Sequence, residues 1–250
     1  MSAIEQEAAT TRKSDEMDWD AYARSYDEMC ALNPAYQQNI EMLTRRLPQW
    51  NLPDDARVCD LGAGTGNYIL QLSEHLPKAS FWHVDADARM IDIANGKYQS
   101  AGLSRVTTLH RSAEETVFPE QSFDLIICIN ALYAFPDRGG VLRHAHGWLR
   151  NNGHLFIIDF GRRQSTLDWT FYLFRESIKA NRVGRYARAL IEAREVIKQN
   201  IKTSKGQESG RYWLHSTEAF KQSLSEAGFN VLEASRCYRN YADMAVCVKA

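Results

Sequence analysis

Apolar and polar positions follow two rhythms along this chain of 250 residues. Short runs rich in Val, Ile, Leu and Phe recur at 57–61, 79–84, 105–110, 123–129 and 153–160. Longer stretches of helical spacing lie between them, at 65–76, 87–98 and 141–149. Apolar strands separated by helices imply a parallel sheet covered on both faces. The block Leu125-Ile126-Ile127-Cys128-Ile129 has no charged member, as a strand buried on both sides requires. Ahead of the first strand, 19–47 reads as two helices broken at Asn33-Pro34, because proline disfavours helix in the residue before it. After Gly161 the rhythm changes, and 165–205 reads as two or three helices with no strand between them. A helix at 217–227, stopped by Gly228, then leads to two last strands at 229–235 and 241–248. The expected fold is α/β, a doubly wound, seven-stranded, mostly parallel sheet with helices on both faces, N-terminal helices and a helical insert after strand five. Residues 1–16 are polar and aperiodic and read as a disordered leader. Residues 17–250 read as a single domain, with 165–212 as a helical cap insert.

Composition narrows the partners. The chain is 44% hydrophobic and 24% charged, with a formal net charge of −1. No basic field is present to attract a phosphate backbone, so no nucleic-acid partner is expected. Cys30, Cys59, Cys128, Cys237 and Cys247 are scattered and form no C-x-x-C pair, which points to reduced, mostly buried thiols. No signal-peptide pattern opens the chain, and no window approaches ~20 apolar residues. A soluble, cytoplasmic protein without a membrane span is expected. No metal is expected either: His144 and His146, two apart on a helix, point to different faces.

The densest chemical signal is Val58-Cys59-Asp60-Leu61-Gly62-Ala63-Gly64-Thr65-Gly66-Asn67-Tyr68. A strand runs into an acid, then three alternating glycines, then a helix. Glycines let a backbone turn tightly and approach a ligand, and the helix start offers unpaired N–H groups. That is a nucleotide-type cofactor site at the carboxyl end of a first strand. It is not G-x-G-x-x-G, since Asn67 stands at the sixth position, and no Gly-Lys-Ser/Thr of a P-loop follows. Asp85 ends the second strand, where dinucleotide folds place a ribose-binding acid. Asp87 is a rival acid, better suited to capping the next helix.

The acid followed by G-x-G-x-G resembles the first motif of the class I S-adenosylmethionine-dependent methyltransferases, a Rossmann-like family. The resemblance spans roughly residues 19–160. Phe118-Pro119-Glu120-Gln121-Ser122-Phe123-Asp124 is similar to the family's entry to strand four, and Leu149–Phe156 to its turn before strand five. Trp19-Asp20-Ala21-Tyr22-Ala23-Arg24-Ser25-Tyr26-Asp27 resembles the F-x-x-x-A-x-x-Y-D helix of small-molecule members. The resemblance implies S-adenosylmethionine as cofactor and S-adenosylhomocysteine as product, with Asp60, Gly62, Ala63 and Gly64 cradling the ligand. It implies Asp85 with Ala86 at the ribose, Ser112, Ala113 and Glu114 around the adenine, Asn130 at the methionine ammonium, and Tyr26 as a cover. Ser112 stands where the family usually has an acid, and Glu114 is the candidate substitute.

The acceptor side is less defined. Candidate catalytic groups are Tyr133 after strand four, Tyr22 on the N-terminal helix, and His215 as a base. Trp169, Tyr172 and Arg175 in the insert are candidates for binding the acceptor. The aromatic run 169–174 reads equally as helix core or as a cover over an apolar or aromatic acceptor. The expected activity is methyl transfer to such a small molecule by in-line displacement. Three alternatives stay open: a cofactor-binding protein without turnover, a nucleic-acid or protein methyltransferase, and a cyclase using the same cofactor site. Asn130-Ala131-Leu132-Tyr133 lacks the Asn/Asp-Pro-Pro-Tyr signature of exocyclic-nitrogen and glutamine modifiers. A homodimer is compatible with the sequence.

Overall fold

The computed structural model describes residues 19–192, 201 and 205–249, with side chains from 26 to 188, at 201 and from 205 to 249. The expected leader at 1–16 lies outside the described residues. Seven strands form one sheet in the order β3-β2-β1-β4-β5-β7-β6. They are β1 (Arg57–Leu61), β2 (Ser80–Asp85), β3 (Val106–His110), β4 (Phe123–Ile129), β5 (Leu149–Phe160), β6 (Asn230–Cys237) and β7 (Ala242–Val248). β7 is antiparallel to both of its neighbours, and the other pairings are parallel. The strand order reverses between β1 and β4, and such a switch point opens a ligand crevice at the strands' carboxyl ends.

Every residue of β4 is buried, as its unbroken apolar run predicts. Alternate residues of the central strands face two separate cores. Val58, Leu125, Ile127, Phe156 and Ile158 point to one, and Cys59, Leu61, Ile126, Leu155 and Ile157 to the other. Helices α1 (Trp19–Leu32), α2 (Pro34–Thr44), α3 (Asn67–His75) and α4 (Ala88–Ser100) bring residues to the first core. Helices α5 (Arg138–Trp148) and α8 (Thr217–Glu226) cover the second. The α1–α2 break falls at Asn33, whose side chain accepts from the Ala35 N–H, with Pro34 opening α2. All five cysteines are buried free thiols.

β5 begins at Leu149, four residues before the apolar run at 153, because Leu149 pairs with Phe123 ahead of a register shift. Asn152 takes a left-handed φ of 62° inside that stretch, so the expected turn is a bend within one long strand. The insert supplies α6 (Thr166–Lys179) and α7 (Val183–Glu192). Bidentate pairs tie both helices down: Arg239 holds Asp168 at 2.6 and 3.0 Å, and Arg185 holds Glu28 at 2.6 and 2.9 Å. Tyr172, Leu173 and Tyr186 of the insert close a small third core with Ala35.

Candidate active site

The glycine loop hangs from the second strand. The N–H groups of Gly62 and Ala63 both donate to the Val84 carbonyl, and the Gly64 N–H donates to Asp85 Oδ2 at 2.8 Å. Two of the glycines are explained by the protein itself. A Cβ at Gly62 would collide with Ala131 of the loop after β4, and one at Gly66 with the phenol of Tyr98. Gly64 differs: its φ is +54°, and a Cβ there would meet no protein atom within 4 Å. It borders open space at the switch point.

Around that edge stand buried oxygens with no hydrogen-bond partner. Asp60 is 2% exposed, and its Oδ2 is unpaired. Burial, reinforced by the charge of Asp85, pushes its pKa well above the usual carboxylate range. Glu114 Oε1 and Asn130 Oδ1 are likewise buried and unpaired. Asn130 holds a left-handed φ of 56°, tolerated best by Asn among side-chain-bearing residues, while its N–H bonds the Ile158 carbonyl at 2.7 Å. An unsatisfied buried acceptor costs about 1–3 kcal/mol. Three on one sheet edge fit a ligand rich in donors, such as an ammonium, ribose hydroxyls and an exocyclic amine.

The other adenosine-side candidates divide. Ala113 is buried, whereas Ala86 is exposed and its carbonyl meets His110 Nε2 at 3.0 Å. Ser112 turns its hydroxyl to Glu115, donating to Oε2 at 3.2 Å and accepting from the backbone N–H at 3.3 Å. That hydroxyl is engaged in capping a turn, whereas Glu114 Oε1 is buried without a partner. Asp87 caps α4 by accepting from the N–H groups of Arg89 and Met90. Asp85 accepts from Asp87 N–H at 2.9 Å as well as from Gly64. Its pKa is raised by burial, against which these two N–H bonds act. Asp85→Asn is therefore expected to weaken S-adenosylmethionine binding about tenfold or more, since a charged acceptor is lost. Calorimetry reads the loss, and an unchanged affinity would move the ribose contact elsewhere.

The N-terminal helix reaches the same loop through Asp27, for which the sequence alone gives no role. Asp27 Oδ1 accepts from Thr65 Oγ1 at 2.7 Å and Asn67 Nδ2 at 2.9 Å, and Oδ2 pairs with Lys97 at 2.8 Å. Lys97 also donates to Asn67 Oδ1. This network pins α1 onto the glycine loop. Its signal was the acid that follows Tyr26 in the helix motif. Tyr26 is half-buried against the first core. The side chain of Tyr22 lies outside the described residues.

On the β4–β5–β7 side of the edge the residues are aromatic. Tyr133, in the short 3-10 helix Leu132–Ala134, meets Phe160 and Tyr212 edge-on at 5.5 and 5.3 Å between ring centres. Phe160 continues to Tyr238, and Tyr238 to Trp169 at 4.8 Å. Trp169 also packs on Tyr172 and Tyr241, and its buried indole N–H has no acceptor. Arg239 lies 4.2 Å over the Tyr172 ring. Tyr238, Arg239 and Asn240 are all left-handed, at φ of 48°, 57° and 69°. Such a conformation costs about 1–2 kcal/mol per residue, and the Arg239–Asp168 pair and the Asn33–Tyr238 hydrogen bond hold it in place. Arg175 is exposed, paired with Glu176 and 5.9 Å over the Tyr172 ring. No sequence signal marked the 238–241 hairpin, because its role depends on long-range pairing.

His215 is buried between two acids. Its side chain is 0% exposed, with Nδ1 3.4 Å from Asp243 Oδ2 and Nε2 3.6 Å from Asp159 Oδ2. Burial alone would lower the imidazole pKa, but the two carboxylates outweigh it and raise it. Asp159 Oδ1 accepts from the Tyr133 N–H at 3.1 Å. Through Asp159 the cluster supports the loop that carries Tyr133, with the buried imidazole between two carboxylates. Among the described residues no three His, Cys, Asp or Glu gather as metal ligands, and no helix is long and apolar enough to cross a membrane.

Comparison with known proteins agrees with this geometry. Residues 58–153 match the family model of a methyltransferase domain. The uncharacterised methyltransferase YcgJ of Bacillus subtilis (strain 168) is 32% identical over 103 residues, 41% of this chain and 40% of that protein. A demethylmenaquinone methyltransferase of Listeria welshimeri is 26% identical over 136 residues, 54% of this chain and 57% of that one. The chain thus aligns with less than two thirds of the length of either relative. A solved S-adenosylmethionine-dependent methyltransferase from Aquifex aeolicus superposes with a TM-score of 0.60 at 16% identity, over 90% of this chain and 98% of that chain. At that identity the likeness shows the fold.

Proposed function

We propose that this chain, which belongs to the class I S-adenosylmethionine-dependent methyltransferases, methylates a small aromatic or otherwise apolar acceptor by in-line displacement. When bound, the cofactor supplies a methyl group activated by a positively charged sulfur. The observation that carries the reading is the buried, unpaired Asp60 carboxylate oxygen on the same edge as the open space at Gly64. Asp60 and Asn130 would meet the ammonium end, Asp85 the ribose and Glu114 the adenine amine. Tyr133, Phe160, Tyr238 and Trp169 would orient the acceptor and exclude water. Orientation of this kind is worth about 7–11 kcal/mol when the reacting atoms are aligned. The unpaired indole N–H of Trp169 favours an acceptor that carries an oxygen. The relatives named for demethylmenaquinone support a quinone-like ring, reduced so that an electron-rich carbon or oxygen can attack. The five buried thiols suit a cytoplasmic setting.

The test is S-adenosylhomocysteine release over a panel of reduced quinones, phenols, aromatic carboxylates, a protein mixture and nucleic acid. Turnover with the oxygen-bearing aromatics alone is the expected result. Cofactor binding without release on any member would favour a binding module, and methylation of protein or nucleic acid would replace the small-molecule reading.

A further inference from the structure

The insert helix α6 buries one face and, among the described residues, leaves a second apolar face uncovered. Trp169, Tyr172 and Leu173 turn inward. Leu167, Phe171, Phe174 and Ile178 are 84%, 68%, 46% and 54% exposed. Their spacing of four, three and four residues puts them in one line about 16 Å long, at about 1.5 Å of rise per residue. Isolated exposed apolar residues need no explanation, but a continuous stripe on one helix does.

The charge around the stripe is one-sided. Residues 162–188 hold seven Lys and Arg against two Asp and Glu. Arg162, Arg163 and Arg185 are paired with Asp243, Glu208 and Glu28, and Asp168 with Arg239, which leaves Arg175, Lys179, Arg182 and Arg188 against Glu176. Arg175 and Lys179 share a single partner, Glu176. Arg182 and Arg188 have no ion pair among the described residues. Two copies pairing through this face would bring like charges together. The complementary partner is negatively charged and apolar beneath its surface.

We propose that α6 docks the protein on an anionic lipid surface. Leu167, Phe171, Phe174 and Ile178 enter the headgroup boundary, and Arg175, Lys179, Arg182 and Arg188 meet the lipid phosphates. A helix with large apolar residues on one side and basic residues beside them lies in the plane of such an interface. Each basic residue near an anionic surface contributes roughly a fivefold gain in partitioning. The inward face of the same helix carries Trp169, so docking sets the aromatic wall close to the lipid boundary. The docking does not depend on methyl transfer and is measured without a methyl acceptor.

The test is flotation of the full chain with vesicles of equimolar phosphatidylglycerol and phosphatidylcholine, beside vesicles of phosphatidylcholine alone. The protein should float with the anionic vesicles and far less with the neutral ones. Leu167→Ser with Phe171→Ser should weaken partitioning about tenfold or more, and Arg182→Glu with Arg188→Glu by a similar factor at low salt. Unchanged thermal melting shows that each variant is folded, and both substituted sets are exposed. Three results would overturn the proposal: no flotation of the wild type, flotation that the serine variant leaves intact, or a wild-type dimer in light scattering that the serine variant dissociates. The last would assign the stripe to a second copy of the chain.

Discussion

Gly64→Val is expected to lose S-adenosylmethionine affinity by about a hundredfold or more, roughly 3 kcal/mol, while the protein stays folded. The two halves of that result have separate causes. A valine side chain at position 64 would project into the open space that no protein atom fills within 4 Å. The expected clash is with a ligand in that space, since the Cβ itself meets no protein atom there. The cost to the fold is the left-handed backbone, about 1–2 kcal/mol for a residue with a Cβ, or a fall of several degrees in melting temperature for a domain of this size. Gly66→Ala is the contrasting variant. Its new methyl would strike the phenol of Tyr98, which is buried and hydrogen-bonded to His83 Nδ1 at 2.8 Å. That variant should lose more stability than Gly64→Val although it adds less volume. Calorimetric titration with S-adenosylhomocysteine and thermal melting separate the two. Wild-type affinity in Gly64→Val would mean that the ligand space lies elsewhere.

The order of elements was readable because β1 to β5 carry strong local patterns. The run at 123–129 suggests a strand buried on both faces, and proline at 34 disfavours helix at Asn33. The bend at Asn152 was less visible, because a strand is defined by what it pairs with, and the Phe123–Leu149 pairing joins positions far apart in sequence. On the cofactor side the motif residues come together: Gly64, Asp85 and Asp60 share one edge. Asp27 lies inside the N-terminal helix motif, but an acid on a helix reads as solvated until its partner loop is in place. The acceptor side was the least legible. Trp169 and Tyr172 stand out in the sequence by size, but the rings that extend their wall, Phe160, Tyr238 and Tyr241, come from β5 and the β6–β7 hairpin. Arg175 reads in the sequence as a partner for an anionic group on the acceptor, but the cation closer over Tyr172 is Arg239, from a distant strand end, at 4.2 Å against 5.9 Å.

The cluster around His215 gives the second large effect. Asp243 is fully buried and accepts from Arg162 at 2.6 Å and Thr217 at 2.8 Å, beside the imidazole at 3.4 Å. Burial would raise its pKa, but these partners dominate and hold it at about 2, below the ordinary 3.8. Asp243→Asn leaves two cationic groups without their shared carboxylate, and breaking a buried pair in this way costs about 3–5 kcal/mol. A melting temperature lower by roughly 10 °C is expected. The pH dependence has a definite sign at each end. The depressed Asp243 contributes stability that is complete above pH 3.8 and is lost as the pH falls toward about 2. That loss is about 2 kcal/mol in the wild type and is absent in Asp243→Asn. The raised His215 contributes stability that is complete below 6.5 and is lost as the pH rises through its higher folded value. The gap in unfolding free energy between the wild type and His215→Gln should therefore narrow toward alkaline pH, as measured by urea denaturation. A gap that widens with pH would mean that the imidazole is neutral in the folded protein, and Asp159 and Asp243 would then be holding the Tyr133 loop without a charge between them.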